Sequence, residues 1–289
     1  MDSEKILEEN FIQGSITSGI NAGMIVDEFR KSLFKLNKND NSLEKKVYYN
    51  IDSSLRFSLD SDINKNFQGV MDLKTLVVGA GAIGNYVALN LALAGIKNID
   101  VLDFDDIEDT NLNRQILFYD KMGEKKASVL SERIKEINKL KSRAFNYKID
   151  GNSEKFFEKN KYDFMFGCLD NFRARYYLSE FAKKFKIPLI DGGTNDLSGN
   201  LAIYCPNKTP CIKCKKNLTY GDEIKRSCGN ALPGVVIPNI ITGSMMVGEA
   251  INIKRGSILN LRIGYDSFSK DRFYIQRELN SKGDCDCMN

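Results

Sequence analysis

The sequence predicts an α/β protein with a doubly wound, Rossmann-like and mostly parallel sheet that carries helices on both faces. Two observations lead to this prediction. From Leu73 onward, short β-branched segments alternate with amphipathic segments in which apolar residues recur at three- and four-residue steps. A glycine-rich segment, Gly79–Gly84, follows the first apolar strand and opens a helix. Such alternation is typical of a parallel sheet wrapped by helices, and a glycine-rich strand-to-helix turn is common in doubly wound sheets.

The individual elements follow from runs of β-branched and aromatic residues, and from the helical periodicity between them. The predicted strands are Lys74–Gly79, Ile99–Phe104, Arg143–Ile149, Tyr162–Gly167 and Ile187–Asp191. The predicted helices are Ala82–Ala94, Glu124–Lys141, Ser153–Lys159 and Asn171–Lys186. After Gly199 the pattern changes to a strand at Leu201–Tyr204, a polar crossover at Pro206–Gly234, a buried helix at Val236–Ile253, and strands at Leu259–Tyr265 and Arg272–Leu279. The last strands are expected to be antiparallel.

Residues 1–66 differ in pattern and are predicted to be a small helical or mixed appendage, followed by a main unit at residues 67–289. The appendage contains a Gly/Ser stretch at Gly14–Gly23, which is expected to separate two helical pieces. In the second piece, Ile25, Phe29, Leu33 and Leu36 would share one apolar face.

Composition excludes several classes of function. The 289 residues include 42 Lys and Arg against 38 Asp and Glu, a balance that favours neither nucleic-acid nor membrane-surface binding. The chain has no His, which excludes a histidine base and a His-ligated metal. Two uncharged stretches, Thr75–Ile96 and Ser227–Gly248, are cut by Gly, Pro or Asn, so we expect buried segments rather than membrane spans. The charged start indicates a cytoplasmic protein.

The strongest local signal is the segment Gly79-Ala-Gly-Ala-Ile-Gly84 between a strand and a helix. Small residues there let the backbone approach a phosphate, whose charge then lies at a helix N-terminus. Asp103 stands nineteen residues beyond Gly84, at the end of the second strand, where a carboxylate can hold ribose hydroxyls. The segment predicts an adenine-nucleotide site; a tight packing turn without a ligand is the alternative.

The residues after Asp103 argue against a hydride-transfer enzyme and suit phosphate chemistry better. One loop concentrates acids, amides and an arginine: Asp105, Asp106, Asn111, Arg114 and Gln115. Arg114 can pair with a phosphate through its forked donors, and Lys126, at the start of the next helix, can reach a triphosphate. Asp170 closes the fourth strand and can hold Mg²⁺, which prefers oxygen ligands and bridges phosphates.

Taken together, these motifs resemble the ubiquitin-activating-enzyme-like adenylyltransferases, the ThiF/MoeB/HesA group. The resemblance rests on Gly79–Gly84, Asp103 with Asn111-Leu-Asn-Arg-Gln115, Gly123-x-x-Lys126-Ala127 and Asp170-Asn171, and it extends from about Leu73 to the C-terminus. It implies ATP- and Mg²⁺-dependent adenylation of a C-terminal carboxylate, usually on a small β-grasp carrier, with release of pyrophosphate, in a homodimer.

On this resemblance each motif has a role. The cofactor-binding residues would be Gly79, Gly81, Ala82, Gly84, Asp103, Asp105, Asn111, Arg114, Gln115, Lys126, Asp170 and Asn171. Asp103 would hold the ribose, Arg114 and Lys126 the phosphates, and Asp170 the Mg²⁺. The attacking carboxylate is already ionised at neutral pH, so catalysis needs positioning and charge neutralisation rather than a base.

The cysteines predict a structural zinc site. Cys211-x-x-Cys214 and Cys285-x-Cys287 are two pairs, and four thiolates make a closed tetrahedral site; free thiols are the alternative. Cys228 is similar in position to the cysteine that some relatives load with the activated carrier, and nearby Arg226 would favour its thiolate. An unreactive cysteine in a crossover loop is the alternative.

Other residues leave alternatives open. Cys168 and Cys205 are interpreted as packing residues. The group's Arg-Tyr-x-Arg segment matches Arg56 here but has Leu59 in place of the second arginine, so the motif leaves open whether an arginine reaches the partner subunit's site. Residues 1–66 either extend the dimer interface or shield the active site, or they clamp a short peptide, as in the microcin C-type peptide-adenylating enzymes. A nucleotide-binding scaffold without catalysis is the third reading.

Overall fold

The structure is a computed structural model. It describes residues 16–28, 30–31, 48–49, 57–58, 69–138, 140–195, 197–216, 218, 236–258, 261–269 and 272–277.

A mixed eight-stranded sheet forms the centre of the molecule. In chain order the strands are β1 (Tyr48–Tyr49), β2 (Phe57–Ser58), β3 (Lys74–Val78), β4 (Asn98–Leu102), β5 (Ala144–Phe145), β6 (Phe164–Gly167), β7 (Leu189–Thr194), β8 (Ser198–Tyr204), β9 (Leu261–Asp266) and β10 (Phe273–Arg277). The spatial order of the central sheet is β10-β9-β8-β7-β6-β3-β4-β5, and β1 and β2 form a separate antiparallel pair. Strands β7, β6, β3, β4 and β5 run parallel, whereas β8, β9 and β10 are antiparallel.

Seven helices connect and cover these strands in the described part of the chain. They are α1 (residues 16–28, with 30 and 31 also helical), α2 (Ala82–Leu93), α3 (Lys126–Asn138), α4 (Glu154–Lys159), α5 (Phe172–Lys184), α6 (Ile212–Lys215) and α7 (Val236–Lys254). Two 3-10 turns, Asp109–Asn111 and Ile116–Phe118, lie between β4 and α3.

The sheet separates two apolar clusters, because successive strand residues point to opposite faces. Val77 and Val101 face the cluster that contains α1, α2, α3 and α7. Leu76 and Leu102 face the cluster that contains α4, α5 and α6. The predicted doubly wound sheet with helices on both faces is therefore confirmed.

Helix α7 is the central helix of the first cluster. Its length and composition would suffice to cross a membrane, but 89% of its apolar window is buried inside the protein. It contacts α2, β7, β8 and β9. It is therefore a core helix, as the sequence predicted for Val236–Ile253.

Strand β5 is shorter than predicted, with Ala144–Phe145 in place of Arg143–Ile149. Among the described strands it lies at the sheet edge and pairs with β4 alone, whose last residue, Leu102, is opposite Phe145. Because β4 ends at Leu102, the residues after Phe145 have no β4 residue to pair with, and β5 ends there.

The N-terminal prediction was wrong in one respect: residues 16–23, the described part of the Gly/Ser stretch, are helical and continue into the following helix. Helix α1 includes Gly19 and Gly23, and its buried apolar residues are Ile16 and Ile20, whereas Ile25 is 69% exposed. A Cβ at Gly19 would lie 2.1 Å from Ser244 Oγ, and one at Gly23 would lie 2.5 Å from the Ile241 side chain. The glycines therefore allow α1 to pack directly on α7. The domain boundary after residue 66 stays a prediction, although α1 shares the core of the main unit.

Candidate nucleotide-binding site

The turn between β3 and α2 depends on its glycines for two different reasons. Gly79 has a φ of +96°, and a Cβ on it would lie 2.4 Å from the carbonyl oxygen of Cys168. A Cβ on Gly84 would lie 1.9 Å from the carbonyl oxygen of Gly79. Gly81 is different, because a Cβ there would meet no atom of the described residues within 4 Å. Gly79 and Gly84 are thus required by the fold, whereas the space beside Gly81 is open to a ligand.

The open space lies at the N-terminus of α2. Gly81 is the N-cap residue, no side chain in the described part of the chain caps the helix, and its first turn holds no acidic residue. Free backbone N–H groups and the positive end of the helix dipole favour a bound anion. The turn therefore fits a phosphate group of the predicted nucleotide.

Asp103 is tied to this turn by two hydrogen bonds. Ala80 N donates to Asp103 Oδ2 at 2.5 Å, and Asp105 N donates to Asp103 Oδ1 at 2.8 Å. Burial raises the pKa of the Asp103 carboxyl, while these two N–H donors and the nearby Lys126 oppose the rise. Each carboxylate oxygen keeps a further lone pair, which suits it to accept bonds from ribose hydroxyls.

Lys126 lies beside Asp103 at the start of α3. It is 7% exposed, and its Nζ is 3.2 Å from Asp105 Oδ2. Its backbone N also donates to the Asp105 carbonyl at 3.0 Å. Its neighbour Lys125 points elsewhere, to the exposed Asp106 at 2.7 Å. The fold therefore selects one lysine of the pair and holds it, through Asp105, next to the glycine turn.

In the loop from Asn111 to Gln115, the polar side chains of Asn111 and Arg114 form hydrogen bonds within the loop itself. Asn111 Oδ1 accepts a hydrogen bond from Glu108 N at 3.1 Å and so stabilises the loop itself. Arg114 Nη1 donates to Thr110 O at 2.9 Å and to Asn113 Oδ1 at 2.8 Å, so its guanidinium lies along its own loop. Gln115 is buried, and its Oε1 accepts no hydrogen bond from the described residues.

Asn85, which the sequence analysis did not single out, joins this loop to the glycine turn. Its Nδ2 donates to the carbonyls of Ala80 at 2.9 Å and Gly81 at 3.0 Å. Its Oδ1 accepts from Leu117 N at 3.0 Å. The signal available in the sequence was a polar amide directly after Gly84 in an otherwise apolar helix start, because a fully buried amide requires partners.

Asp170 and Asn171 leave the same edge of the sheet as the glycine turn. Strand β6, which precedes them, pairs with β3, and Gly167 lies opposite Val78. Asp170 is exposed, and its Oδ1 accepts from Asn171 Nδ2 at 3.3 Å. Asn171 caps α5 by accepting from Ala174 N at 2.8 Å. An exposed carboxylate at this edge is available to a cation such as Mg²⁺.

Arg175 holds the backbone around Asp170 in place. It is 8% exposed, forms an ion pair with Asp191 and donates to the carbonyl oxygens of Leu169 and Gly192, the latter at 2.8 Å. Lys216 pairs with the same Asp191 carboxylate. Arg175 and Asp191 therefore form a buried ion pair beside the Asp170 loop.

The cysteines divide between described and undescribed residues. Cys168 and Cys205 are buried, and burial raises the pKa of both thiols, as expected of packing residues. Cys211 Sγ and Cys214 Sγ are 3.5 Å apart. Two thiolates on one tetrahedral zinc are about 3.8 Å apart, so this pair fits half of the predicted site. Cys228, Cys285 and Cys287 lie outside the described residues, and the described residues contain no group of three or more metal ligands.

The structure thus brings most of the predicted nucleotide residues to one edge of the sheet. Direct contacts link the glycine turn, Asp103, Asp105 and Lys126, and strand pairing places Asp170 beside them. The roles of these residues toward a nucleotide stay predictions.

Comparison with known proteins gives the family. The model of the ThiF family matches residues 56–287. The SUMO-activating enzyme subunit 2 of Dictyostelium discoideum is 34% identical over 153 residues, which cover 52% of this chain and 23% of that protein. The adenylyltransferase and sulfurtransferase MOCS3 of Aedes aegypti is 33% identical over 195 residues, which cover 66% of this chain and 44% of that protein. The chain spans about half or less of the length of the curated relatives it matches.

Among solved structures, E. coli MccB with ATP superimposes with a TM-score of 0.63 at 25% identity, over 75% of this chain and 67% of that one. E. coli MccB with MccA-N7isoASN has a TM-score of 0.64 at 24% identity, over the same shares of the two chains. These structures share the fold described above.

Proposed function

Because the chain belongs to the ThiF family, we propose that it is an ATP-dependent adenylyltransferase that activates the C-terminal carboxylate of a small ubiquitin-like, β-grasp carrier protein. One observation supports this most directly. The open phosphate cradle at Gly81, the Asp103 carboxylate and the Lys126 ammonium meet at one edge of the sheet. These are the groups that a nucleotide requires, and they lie where doubly wound sheets bind ligands.

In the proposed reaction, a carboxylate oxygen of the carrier attacks the α-phosphorus of ATP. A bond forms between the α-phosphorus and the carboxylate oxygen. The bond between the α-phosphorus and the oxygen that bridges to the β-phosphate breaks, and pyrophosphate leaves with its electron pair. Asp103 orients the ribose, the N-terminus of α2 binds phosphate oxygens, and Lys126 neutralises charge that develops on the leaving group. Asp170 would hold Mg²⁺, which would add to the neutralisation of the phosphate charge.

Several finer features belong to the proposal as well. Asn111, Arg114 and Gln115 belong to the loop that faces the nucleotide. Arg114 would turn from its own loop toward the phosphates, and Cys228 would receive the activated carrier in a second step. A structural four-cysteine zinc site at Cys211, Cys214, Cys285 and Cys287, a homodimer and a cytoplasmic location complete it. Zinc would cross-link the C-terminal tail to α6.

A second candidate function is adenylation of a short peptide. The observation that favours it is the fold shared with MccB, whose structures contain the peptide MccA. Both candidates use the same nucleotide site and differ in the acceptor carboxylate. A nucleotide-binding scaffold, the third reading, would bind ATP without turning it over.

Pyrophosphate exchange with MgATP tests the proposal. The acceptors are β-grasp proteins ending in Gly-Gly and short peptides with free C-termini, and ATP binding is measured separately by calorimetry. We expect exchange that depends on a carrier and is lost in Asp170→Ala. The matched control is Asp72→Ala, which removes an exposed carboxylate paired with Lys97 far from this edge.

Each outcome selects one reading. Exchange with peptides alone supports the second candidate, and ATP binding without exchange for any acceptor supports the scaffold. Equal exchange in Asp170→Ala and the parent protein would contradict the role of Asp170 while leaving adenylation in place.

A further inference from the structure

A cavity of about 450 Å³ lies at the edge of the sheet opposite the nucleotide site. Its lining residues are Lys74, Asn98, Asp100, Lys135, Lys141, Ser142 and Arg143. Lys74 and Asn98 are the first residues of β3 and β4, whereas the glycine turn and Asp103 follow the last residues of these strands. Five strand residues span roughly 16 Å, so the cavity and the nucleotide site are separated by about the length of β3 and β4.

The charge of this cavity is unbalanced. Four cationic side chains face one carboxylate, a net charge of +3, in a chain whose total net charge is +4. That carboxylate, Asp100, is already engaged. Arg143 Nη2 lies 2.6 Å from its Oδ2, and Tyr162 donates to the same oxygen at 2.9 Å. Asp100 therefore balances Arg143 and leaves three ammonium groups without a counter-charge from the cavity wall.

The ammonium groups of the three lysines form no ion pair with other described residues, although the backbone N of Lys74 donates to Asp163 Oδ2 at 2.8 Å. Lys74 Nζ lies over the Tyr162 ring, 5.1 Å from its centroid, and this cation–π contact does not neutralise the positive charge of the lysine. Lys135 and Lys141 are exposed and make no ion pair among the described residues. The C-terminal dipole of α3 favours Lys135, which lies in its last turn, but it does not explain the other two cations.

From this arrangement we infer that the cavity binds a compact anion that carries two or more phosphate groups. Cations on a concave wall repel one another and produce a positive electrostatic potential inside the cavity. Binding of an anion that neutralises several of them is therefore favoured. The lining residues are all polar or charged; their aliphatic stems form most of the wall, and the cationic ends supply the groups that an anion would contact. Arg143 and the lysines supply the forked and point-charge donors that phosphate oxygens accept.

Calorimetric titration with inorganic tripolyphosphate tests the inference. The double variant Lys135→Gln/Lys141→Gln removes two of the unpaired cations. Its matched control, Lys155→Gln/Lys159→Gln, removes two exposed lysines from α4, outside the cavity. We expect the cavity variant to bind about tenfold more weakly or worse, and the control to stay within about twofold of the parent protein.

Two further arms identify the site and the ligand class. Lys126→Gln weakens the nucleotide site, and we expect tripolyphosphate binding at the cavity to persist in it. Loss of all binding in Lys126→Gln, or equal affinity in the two double variants, would overturn the inference. Tighter binding of an oligoglutamate peptide than of tripolyphosphate would also overturn it, since the surface would then recognise an acidic protein segment.

Discussion

At the scale of single residues, the fold distinguishes side chains that the sequence presents as equivalent. Lys125 and Lys126 are adjacent, yet Lys126 is 7% exposed and bound to Asp105, whereas Lys125 pairs with Asp106 at the surface. Antiparallel pairing of Asp106 with Lys125 sets this division. The phosphate-binding role therefore belongs to one lysine, and its neighbour is a natural control.

We expect Lys126→Gln to reduce carrier-dependent pyrophosphate exchange about 100-fold or more, since the ammonium would stabilise charge that develops on the leaving phosphates. Lys125→Gln should stay within about twofold of the parent enzyme. The initial rate of exchange at saturating MgATP is the measurement. Comparable losses in the two variants would contradict the assignment of Lys126.

Arg175 acts on the site through the backbone. Its guanidinium binds the carbonyls of Leu169 and Gly192 and pairs with Asp191, which is 1% exposed. We expect Arg175→Gln to lower the free energy of unfolding by about 3 kcal/mol, because it leaves buried acceptors unpaired. We also expect it to raise the Mg²⁺ concentration needed for half-maximal exchange, since the loop that holds Asp170 loosens.

Urea titration and Mg²⁺ dependence of exchange measure these two effects. Arg175→Lys keeps the positive charge but lacks the forked donors of the guanidinium. It should therefore restore part of the free energy of unfolding, and a smaller part of the parent protein's Mg²⁺ dependence. An unchanged Mg²⁺ dependence in both variants would limit Arg175 to a role in stability.

At the scale of elements, the turn between β3 and α2 combines a structural and a ligand-binding requirement within six residues. Gly79 and Gly84 allow the turn to pack on β6 and on itself. Gly81 has a φ of −69°, and no residue that the structure describes fills the space in front of it, so neither its backbone nor those neighbours require glycine. A glycine without a structural reason at a helix N-terminus indicates a ligand that approaches the backbone.

We expect Gly81→Ala to change the free energy of unfolding by less than about 1 kcal/mol and to weaken ATP binding about tenfold or more, because the methyl group occupies the phosphate space. Gly84→Ala should instead destabilise the fold by about 3 kcal/mol, since its Cβ would overlap the Gly79 carbonyl. Urea unfolding and calorimetric ATP titration separate the two effects. Normal ATP binding by Gly81→Ala would contradict the proposed cradle.

At the scale of the whole molecule, α1 closes the core from the N-terminal side and contacts the strands near the C-terminus. Asp27 is 1% exposed and accepts hydrogen bonds from Tyr265 at 2.6 Å and from Ser267 at 2.9 Å. Lys31 Nζ lies 2.7 Å from its carboxylate. Burial would raise the pKa of Asp27, but its hydrogen bonds to Lys31, Tyr265, Arg30 and Ser267 together outweigh burial and lower it.

A carboxyl whose pKa is lowered on folding stabilises the protein above its unfolded pKa of about 3.9, and this contribution is lost as the pH falls through the folded value. We therefore expect Asp27→Asn to lower the free energy of unfolding by about 2–4 kcal/mol at pH 6 to 7. The difference in this free energy between the variant and the parent protein should shrink as the pH falls below about 4. Urea unfolding across this pH range measures it, with Asp72→Asn as the exposed control. A difference independent of pH would contradict the ionised role of Asp27.

Several features of fold and site were predictable from the sequence because they depend on local chemistry. The order of strands and helices followed from periodicity, and Gly79–Gly84, Asp103, Lys126 and Asp170 were recognisable from their places at strand and helix ends. The ends of parallel strands meet at one edge, so residues there converge whatever the details of packing.

The tertiary structure alone decided what depends on packing between distant segments. The Gly/Ser stretch of α1 looked like a break because glycine is a poor helix former, but contact with α7 requires those glycines and outweighs their intrinsic cost. Asn85 as a bridge, Arg175 as a buried anchor and the cationic cavity at the opposite edge each join residues far apart in the chain. Local sequence determines which elements form and what chemistry they carry, whereas close packing determines which side chains meet, because only the folded core fixes distances between elements.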